Sequence, residues 1–213
     1  MEVTREQWLE ERKKGIGGSD AAAIVGCNPY MTNVQLWEIK TGRKEQADIS
    51  NKDCVQYGVK AENPLRELFK LDYPEYEVVE KGFDIIRHPR FDFLSASLDG
   101  ELTEKSTGRK GILEIKTTNI LQSMQLEKWN DRIPQNYYCQ ILHYLGVTGY
   151  DFAILKAQLK SIYDGQIRIT QRHYFFKREN IQDDIEFLQK EEIKFWQQYV
   201  AKDIKPNLVL PQI

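Results

Sequence analysis

The hydrophobic pattern of the chain changes its period near residue 76, and this change restricts the fold more than any other sequence feature. Before residue 76, apolar residues recur at helical spacing. After it, short β-branched and aromatic runs alternate with polar residues and are separated by turn residues. Such alternation is typical of strands. The pattern therefore predicts a helical section that is followed by a sheet.

Four helices are expected before the sheet, over 4–14, from Ser19 onward, over 32–42 and over about 51–71. Thr4 and Gln7 have the spacing of a capping box, and Ser19 and Asp20 are residue types that favour a helix start. Pro64 lies inside the fourth helix, so a kink or a restart is expected there.

The remaining elements alternate between strands and helices. Three antiparallel strands are expected near 76–87, 91–99 and 111–117, and two more near 151–159 and 166–176. Helices are expected at 120–129, from about 134 to 145, and over about 178–202. This order predicts an α/β (α+β) protein with a mixed central sheet flanked by helices.

Composition and charge favour one ordinary globular domain over 1–213. With 41% hydrophobic and 29% charged residues the chain can bury a sizeable core, and no linker or repeat divides it. The net charge of -2 neither indicates nor excludes nucleic-acid binding, because basic residues can gather on one face. We expect a helical section over about 1–50, a core over about 51–176 and a final helix.

Cysteine spacing and hydropathy indicate where the protein works. The three cysteines are far apart and lack zinc or disulfide spacing, which favours a reducing compartment. No apolar run approaches the length of about 18 residues that a membrane helix needs, and no signal-peptide core follows the charged start. A cytoplasmic protein without a membrane partner is expected.

Two charged residues, Glu114 and Lys116, interrupt an apolar strand in the run "GILEIKT". Residues two apart share a face of a strand, so the carboxylate and the ammonium project together. Most such pairs are solvated surface pairs of little consequence. Asp99 changes this balance, because it ends the preceding predicted strand and approaches Glu114 if the two strands form a hairpin.

Two neighbouring carboxylates disfavour each other's ionisation, and a hard divalent cation relieves this repulsion. Mg²⁺, or Mn²⁺ in its place, is therefore the expected cofactor, and Lys116 would orient a water or stabilise charge on a phosphate. An Asp followed about fifteen residues later by Glu-x-Lys resembles the PD-(D/E)xK pattern of restriction-endonuclease-like nucleases, although "LDG" here lacks the proline.

Two further features lie on predicted helices. Glu62 lies one turn after Gly58, and Tyr137, Gln140 and Tyr144 form one stripe in "PQNYYCQILHYLGVTG". Taken alone, Glu62 could be a solvated glutamate and Gln140 a boundary residue. Their combination with the acidic strands in one chain is much less expected by chance.

At this point the sequence resembles the phage-type alkaline exonucleases, the family of lambda exonuclease and the YqaJ viral recombinases. The similarity spans roughly residues 5–160 and depends on the five blocks "WLEERKKGIGGSDAAAIVG", "YGVKAENPLRELF", "LSASLDGE", "ILEIKTT" and "PQNYYCQILHYLGVTG". Each block is weak alone, whereas the combination is specific.

The resemblance assigns roles to particular residues. Glu62, Asp99 and Glu114 would bind the metal, together with the carbonyl of Ile115. Lys116 would be the catalytic lysine. Gln140 and Tyr137 would support the site from the following helix.

The first block suggests a phosphate pocket. "GGSD" by itself is explained by a capped helix, but a helix start with close backbone approach at Gly18 also suits an anion. In the family, Arg12 and Ser19 would correspond to the residues that bind a 5′-phosphate. Asp20 would repel phosphate, so we expect it to point away and cap the helix.

The resemblance implies a magnesium-dependent deoxyribonuclease of phage or prophage origin that digests one strand of duplex DNA in the 5′ to 3′ direction. Its partners would be duplex DNA with a 5′-phosphate and a single-strand annealing protein, in homologous recombination. A homo-oligomer, such as a ring trimer, is expected to enclose the DNA. The candidates for lining the channel are Lys13, Lys14, Lys40, Arg43, Lys44 and Lys128.

Two alternatives stay open from the residues alone. One is an endonuclease of the same fold, which would not depend on a 5′-phosphate. The other is a DNA-binding module without catalytic activity, although such a module has no reason to keep a costly carboxylate cluster.

Overall fold

A central five-stranded sheet organises the molecule, which a computed structural model describes over residues 4–210. The strand order is β1-β4-β5-β6-β7, and β5 and β6 run parallel while the other neighbours are antiparallel. The strands are β1 (Tyr76–Val79), β4 (Gly100–Glu104), β5 (Lys110–Ile120), β6 (Phe152–Tyr163) and β7 (Gln166–Lys177). The predicted mixed sheet is therefore confirmed.

Four helices precede the sheet, as predicted: α1 (Arg5–Lys13), α2 (Gly18–Ile24), α3 (Asn33–Lys40) and α4 (Asp53–Asp72). Thr4 and Gln7 cap α1 reciprocally, which confirms the predicted capping box. Helix α4 continues through Pro64, so no restart occurs there. Pro64 lies in an exposed position of α4.

Two of the predicted early strands are wrong in extent. The segment 76–87 divides into β1 and the two-residue β2 (Ile86–Arg87), which belong to different sheets. The segment 91–99 contains only β3 (Ser95–Ala96), which pairs with β2. The antiparallel partner of β5 is the short strand β4, which begins at Gly100, directly after Asp99.

The later elements agree with the prediction in type. Helices α5 (Ser123–Glu127) and α6 (Gln135–Thr148) follow β5. The expected final helix is divided into a 3₁₀ turn over Arg178–Asn180, α7 (Gln182–Lys194) and a π-helical end over Phe195–Val200. Among residues 4–210, no helix is long and apolar enough to cross a bilayer.

Each face of the sheet is covered by helices, and two apolar clusters result. Helices α2, α6 and α7 pack on the face that presents Ile112, whereas α4 packs on the face of Leu113 and Ile115 through Leu65 and Phe69. The glycine loop before α2 joins the small β2-β3 sheet, because the Ser95 amide donates to the Ile16 carbonyl at 3.0 Å. This contact places the start of α2 beside the segment that leads into Asp99.

Candidate active site

The hairpin of β4 and β5 brings Asp99 next to the Glu-x-Lys segment. Gly100 is paired with Leu113, so Asp99 lies beside the following residues of β5. Its Oδ2 accepts a hydrogen bond from the Ile115 amide at 2.8 Å. The predicted approach of Asp99 to β5 is thus confirmed, with the hairpin built by β4.

Glu114 and Lys116 project toward α6 and form a buried ion pair. The Glu114 side chain is 2% exposed and that of Lys116 20% exposed. Gln140 Nε2 donates to the same carboxylate oxygen, Glu114 Oε1, at 2.8 Å. The Tyr137 ring lies beside the lysine, with Nζ 5.3 Å from its centroid. The helix stripe and the strand therefore meet at one place.

An arginine of α4 connects Glu62, on the same helix, to the segment that carries Asp99. Arg66, one turn later and 2% exposed, donates to Glu62 Oε1 at 3.0 Å and to the Asp99 carbonyl at 2.6 Å. It also pairs with Glu80 at 2.7 Å. Arg66 therefore joins the helix glutamate to the turn that carries Asp99.

Burial and mutual repulsion govern the ionisation of the three acids. Burial, then the nearby Glu114 charge, raises the pKa of Asp99 to about 7. Burial also raises the pKa of Glu114, with Glu62 adding to the rise while Lys116 opposes it. The pKa of Glu62 is raised by burial and then by Asp99. The charge of another acid raises the pKa of each one, so the ionisation of the three acids is linked.

Lys116 is held as an ammonium ion. Its burial disfavours the charge, but the attraction of Glu114 and Asp99 outweighs this effect, and the pKa of Lys116 is raised. A charged lysine cannot accept a proton from water. It can donate hydrogen bonds to a water or to a phosphate oxygen.

The donor atoms suit a hard divalent cation, although the carboxylates are engaged by protein groups. Within the described part of the chain, no three His, Cys, Asp or Glu side chains are grouped to hold a metal ion. Glu114 Oε2, however, is buried and has no hydrogen-bond partner. A buried carboxylate oxygen without a donor costs free energy that a cation would return. The chemistry of Glu62, Asp99 and Glu114 therefore fits Mg²⁺ or Mn²⁺.

A second group of polar residues lies at the start of α2. The Arg12 guanidinium donates to Ser19 Oγ at 3.2 Å and lies 4.4 Å from the centroid of the Trp8 ring. Trp8 in turn donates to Ser97 Oγ at 3.0 Å, two residues before Asp99. The Arg12 charge also opposes the rise of the Glu114 pKa. The predicted phosphate-binding pair thus lies beside the acidic site.

Asp20 caps the start of α2, as predicted. Its Oδ2 accepts from the Gly17 amide at 3.0 Å and pairs with Lys40 at 2.7 Å. This contact corrects one expectation, because the Lys40 side chain is only 6% exposed and cannot line a DNA channel. The α2 start is also partly occupied by Asp20, so anion binding there depends on the Arg12 and Ser19 side chains.

Gly18 has a packing role that the sequence did not indicate. A Cβ at this position would lie 2.5 Å from Tyr144 Cε1 and 2.9 Å from Gln140 Cγ. A larger residue would therefore separate α2 from α6. Direct contact of Gly18 with a phosphate stays a prediction.

Sequence reasoning missed Arg66 and did not assign a role to Tyr144. The signal for Arg66 was a cation four residues after Glu62, within the apolar stripe of α4. The Tyr144 hydroxyl accepts from Gln140 Nε2 at 3.0 Å, and its ring is 4% exposed. Tyr144 thus holds Gln140 toward Glu114.

The fold is that of the alkaline exonucleases. An alkaline exonuclease from Laribacter hongkongensis superposes with a TM-score of 0.57 at 18% identity, covering 93% of this chain and 97% of that protein. A phage-related exonuclease from Haemophilus somnus 129PT superposes with a TM-score of 0.55 at 15% identity, covering 89% and 96%. The predicted α/β nuclease fold, with a mixed sheet flanked by helices, is confirmed.

Sequence comparison identifies the family. Residues 7–151 match the YqaJ-like viral recombinase domain, and the chain belongs to that family. The uncharacterized protein YqaJ of Bacillus subtilis (strain 168) is 34% identical over 210 residues, which cover 97% of this chain and 60% of that protein. The chain thus spans about 60% of the length of this relative. The resemblance drawn from the five sequence blocks is confirmed.

Proposed function

We propose that the chain is a metal-dependent exonuclease that hydrolyses one strand of duplex DNA from its 5′ end during phage-type recombination. The family and the fold point to a phage-type alkaline exonuclease. The observation that carries the proposal is the convergence of Glu114, Lys116 and Gln140 beside Asp99.

Four side chains would prepare the reaction. Lys116 would donate a hydrogen bond to the attacking water or to a non-bridging phosphate oxygen, and so stabilise charge that develops during hydrolysis. Gln140 and Tyr144 would hold the Glu114 carboxylate in place, and the Tyr137 ring would confine the lysine. Water attacks the phosphorus and the bond from phosphorus to the leaving oxygen breaks. The proton that the water loses passes through solvent to the leaving oxygen, which departs as a hydroxyl.

Glu62, Asp99 and Glu114, with the Ile115 carbonyl, would hold the cation. A bound Mg²⁺ or Mn²⁺ supplies Lewis acidity, lowers the pKa of a coordinated water and neutralises negative charge at the phosphate. The raised pKa values of all three acids support this assignment, because they result from burial and repulsion between the acids, which a bound cation would offset.

The second polar group supports digestion in the 5′ to 3′ direction. Arg12 and Ser19 would bind the terminal 5′-phosphate, so a strand would enter the site from its 5′ end. Arginine suits this task because its planar donors match phosphate oxygens. The 3′ single strand that remains would pass to an annealing protein. Assembly into a ring around the DNA and a cytoplasmic location belong to the same proposal.

The test uses linear duplexes labelled at each end, with and without a 5′-phosphate, in Mg²⁺. Progressive loss from the phosphorylated 5′ end is expected, and Arg12→Ala should remove the preference for that phosphate. Lys116→Ala should slow cleavage about 10³-fold. Lys110→Ala is the matched control, because Lys110 also pairs with a glutamate, Glu101, and begins the same strand.

Each other outcome contradicts part of the proposal. Cuts in a closed circular duplex would indicate an endonuclease of the same fold. Loss from the 3′ end would reverse the direction. Absence of cleavage by the wild-type chain in both Mg²⁺ and Mn²⁺ would leave a DNA-binding module.

A further inference from the structure

The hairpin of β6 and β7 extends beyond the rest of the sheet. The last residue of β5 that pairs with β6 is Ile120, opposite Ser161. Beyond this level only β6 and β7 pair with each other, up to Tyr163 and Gln166. Asp164 and Gly165 close the hairpin with positive φ angles of 50° and 70°, as in a type I′ turn. The hairpin tip is therefore a defined projection.

Strand register assigns one face of this projection to the side of the candidate active site. Lys116 pairs with Ala157, and Tyr163 lies six residues further along β6, on the same face. Ser161, also on this face, pairs with Arg168 of β7. Six residues of strand span about 20 Å. Tyr163 thus lies on the face of Lys116, about six base steps away at 3.4 Å per step. Arg168, opposite Ser161, lies on the same face.

The chemistry of this face suits an unpaired nucleic-acid strand. The Arg168 guanidinium lies 4.8 Å from the centroid of the Tyr163 ring, and Tyr163 is 66% exposed. Among residues 4–210, Arg168 forms no ion pair, whereas Arg172 donates to the Trp129 carbonyl at 2.7 Å. Asp164 is the only acidic residue within 160–172, so little negative charge opposes a phosphate there. Exposed aromatic rings beside free cations stack on bases and attract phosphates.

We propose that Tyr163 and Arg168 form a platform that binds single-stranded DNA near the candidate active site. The proposal rests on the proposed function only in taking DNA as the substrate. Single-stranded DNA is favoured over duplex because its bases can leave their neighbours and stack on the ring, whereas duplex bases already stack on one another. The strand that digestion leaves unpaired is the expected occupant.

Binding of a fluorescent oligothymidylate, measured by anisotropy in EDTA, tests the platform without hydrolysis. Tyr163→Ala should weaken binding about tenfold, and Tyr163→Trp should restore it, because stacking contributes about 1–3 kcal/mol per base. Arg168→Ala should reduce the salt dependence of log K by about 0.7, the value for one phosphate contact on a single strand. Binding of blunt duplex should change much less.

Arg90→Ala is the matched control. Arg90 is also exposed and lies over an aromatic ring, 5.5 Å from the Phe91 centroid, but it is outside the five-stranded sheet. This variant should bind the oligothymidylate like the wild type. Thermal melting of each variant shows whether the hairpin change disturbs folding.

Three results would overturn the platform. They are unchanged binding by Tyr163→Ala, an equal loss on blunt duplex, and a change in oligomeric state by light scattering with DNA binding intact, which would assign the tip to a second copy. Failure here is distinguishable from failure of the exonuclease proposal. Binding through the tip can persist in a chain that cleaves nothing, and cleavage can persist in Tyr163→Ala.

Discussion

Two buried glutamates on adjacent strands, Glu101 of β4 and Glu114 of β5, have opposite electrostatic environments. Glu101 is 9% exposed and Glu114 1% exposed. Burial alone would raise both pKa values. In Glu101, hydrogen bonds from Tyr150, Lys110 and Lys81 outweigh burial and lower the pKa to about 2, whereas the pKa of Glu114 is raised.

The difference lies in how the carboxylate oxygens are satisfied. Glu101 uses both oxygens, with Lys110 at 3.0 Å on one and Lys81 at 3.1 Å on the other. Glu114 uses one oxygen for Lys116 and Gln140 and leaves the other buried without a donor. Both oxygens of Glu101 therefore have partners within the protein, while one oxygen of Glu114 can still bind a cation.

The largest expected effect is on the rate of DNA hydrolysis, which should depend on Glu114 and not on Glu101. Glu114→Gln should lower the rate of duplex hydrolysis about 10³-fold, because it removes a negatively charged cation ligand while keeping the side-chain shape. Glu101→Gln, its matched control, should stay within about twofold of the wild type in the same end-labelled assay. Equal losses in both variants would remove the contrast.

The next effect concerns Asp99 and pH. Its pKa of about 7 in the folded state lies above the ordinary value of 3.8, so the folded state binds the proton more tightly. The free energy of unfolding should therefore fall by up to a few kcal/mol as pH rises from about 4 to about 7, then level off.

Asp99→Asn has no proton to lose and should show a smaller fall, to which Glu62 and Glu114 still contribute. Chemical denaturation across that pH range, without divalent cations, measures it. Mg²⁺ should stabilise the wild type more at the alkaline end, where the carboxylate is charged. Parallel pH profiles for the wild type and Asp99→Asn would contradict the assigned ionisation.

A smaller effect concerns the stability contributed by Glu101. Glu101→Gln should lower the free energy of unfolding by about 2 kcal/mol, because Tyr150 and two lysines lose a charged acceptor. Glu114→Gln should cost less, since it removes an under-satisfied buried charge and Asp99 still attracts Lys116. Urea denaturation of the two variants at neutral pH compares them. A larger loss for Glu114→Gln would reverse the comparison.

The smallest effect tests the support of Glu114 by α6. Gln140→Ala should lower the hydrolysis rate about tenfold, as expected when one orienting hydrogen bond is removed. Gln135→Ala, at the exposed first position of the same helix, should have no effect. Rescue by Gln140→Asn is not expected, because the shorter side chain cannot span the same distance. A Gln140→Ala variant at the wild-type rate would exclude the orienting role.

Local sequence patterns predicted most elements because caps and periodicity act over a few residues. The Thr4–Gln7 box and the long strands β6 and β7 follow from such patterns. The segment around Gly100 was different, because the Asp99–Gly100 turn signal hid the short strand β4. Long-range pairing with β5 decides that strand, and no local preference reports it.

The candidate site was likewise predictable from the sequence only in part. The chemical types were readable from the chain, since Asp99, Glu114 and Lys116 occur at a spacing that a hairpin can bring together. Arg66, the packing reason for Gly18 and the pairing of Lys40 with Asp20 were not readable. Each depends on which helix packs against which strand.

The sequence by itself determined the family, the type and order of most elements and the set of acidic, basic and amide groups available for chemistry. The tertiary structure alone decided which of two similar buried glutamates is satisfied and which keeps an unpartnered oxygen. The physical reason is that ionisation in a protein interior depends on distances to charges and donors from distant segments. Those distances exist only after α4, α6 and the hairpin of β4 and β5 have packed together.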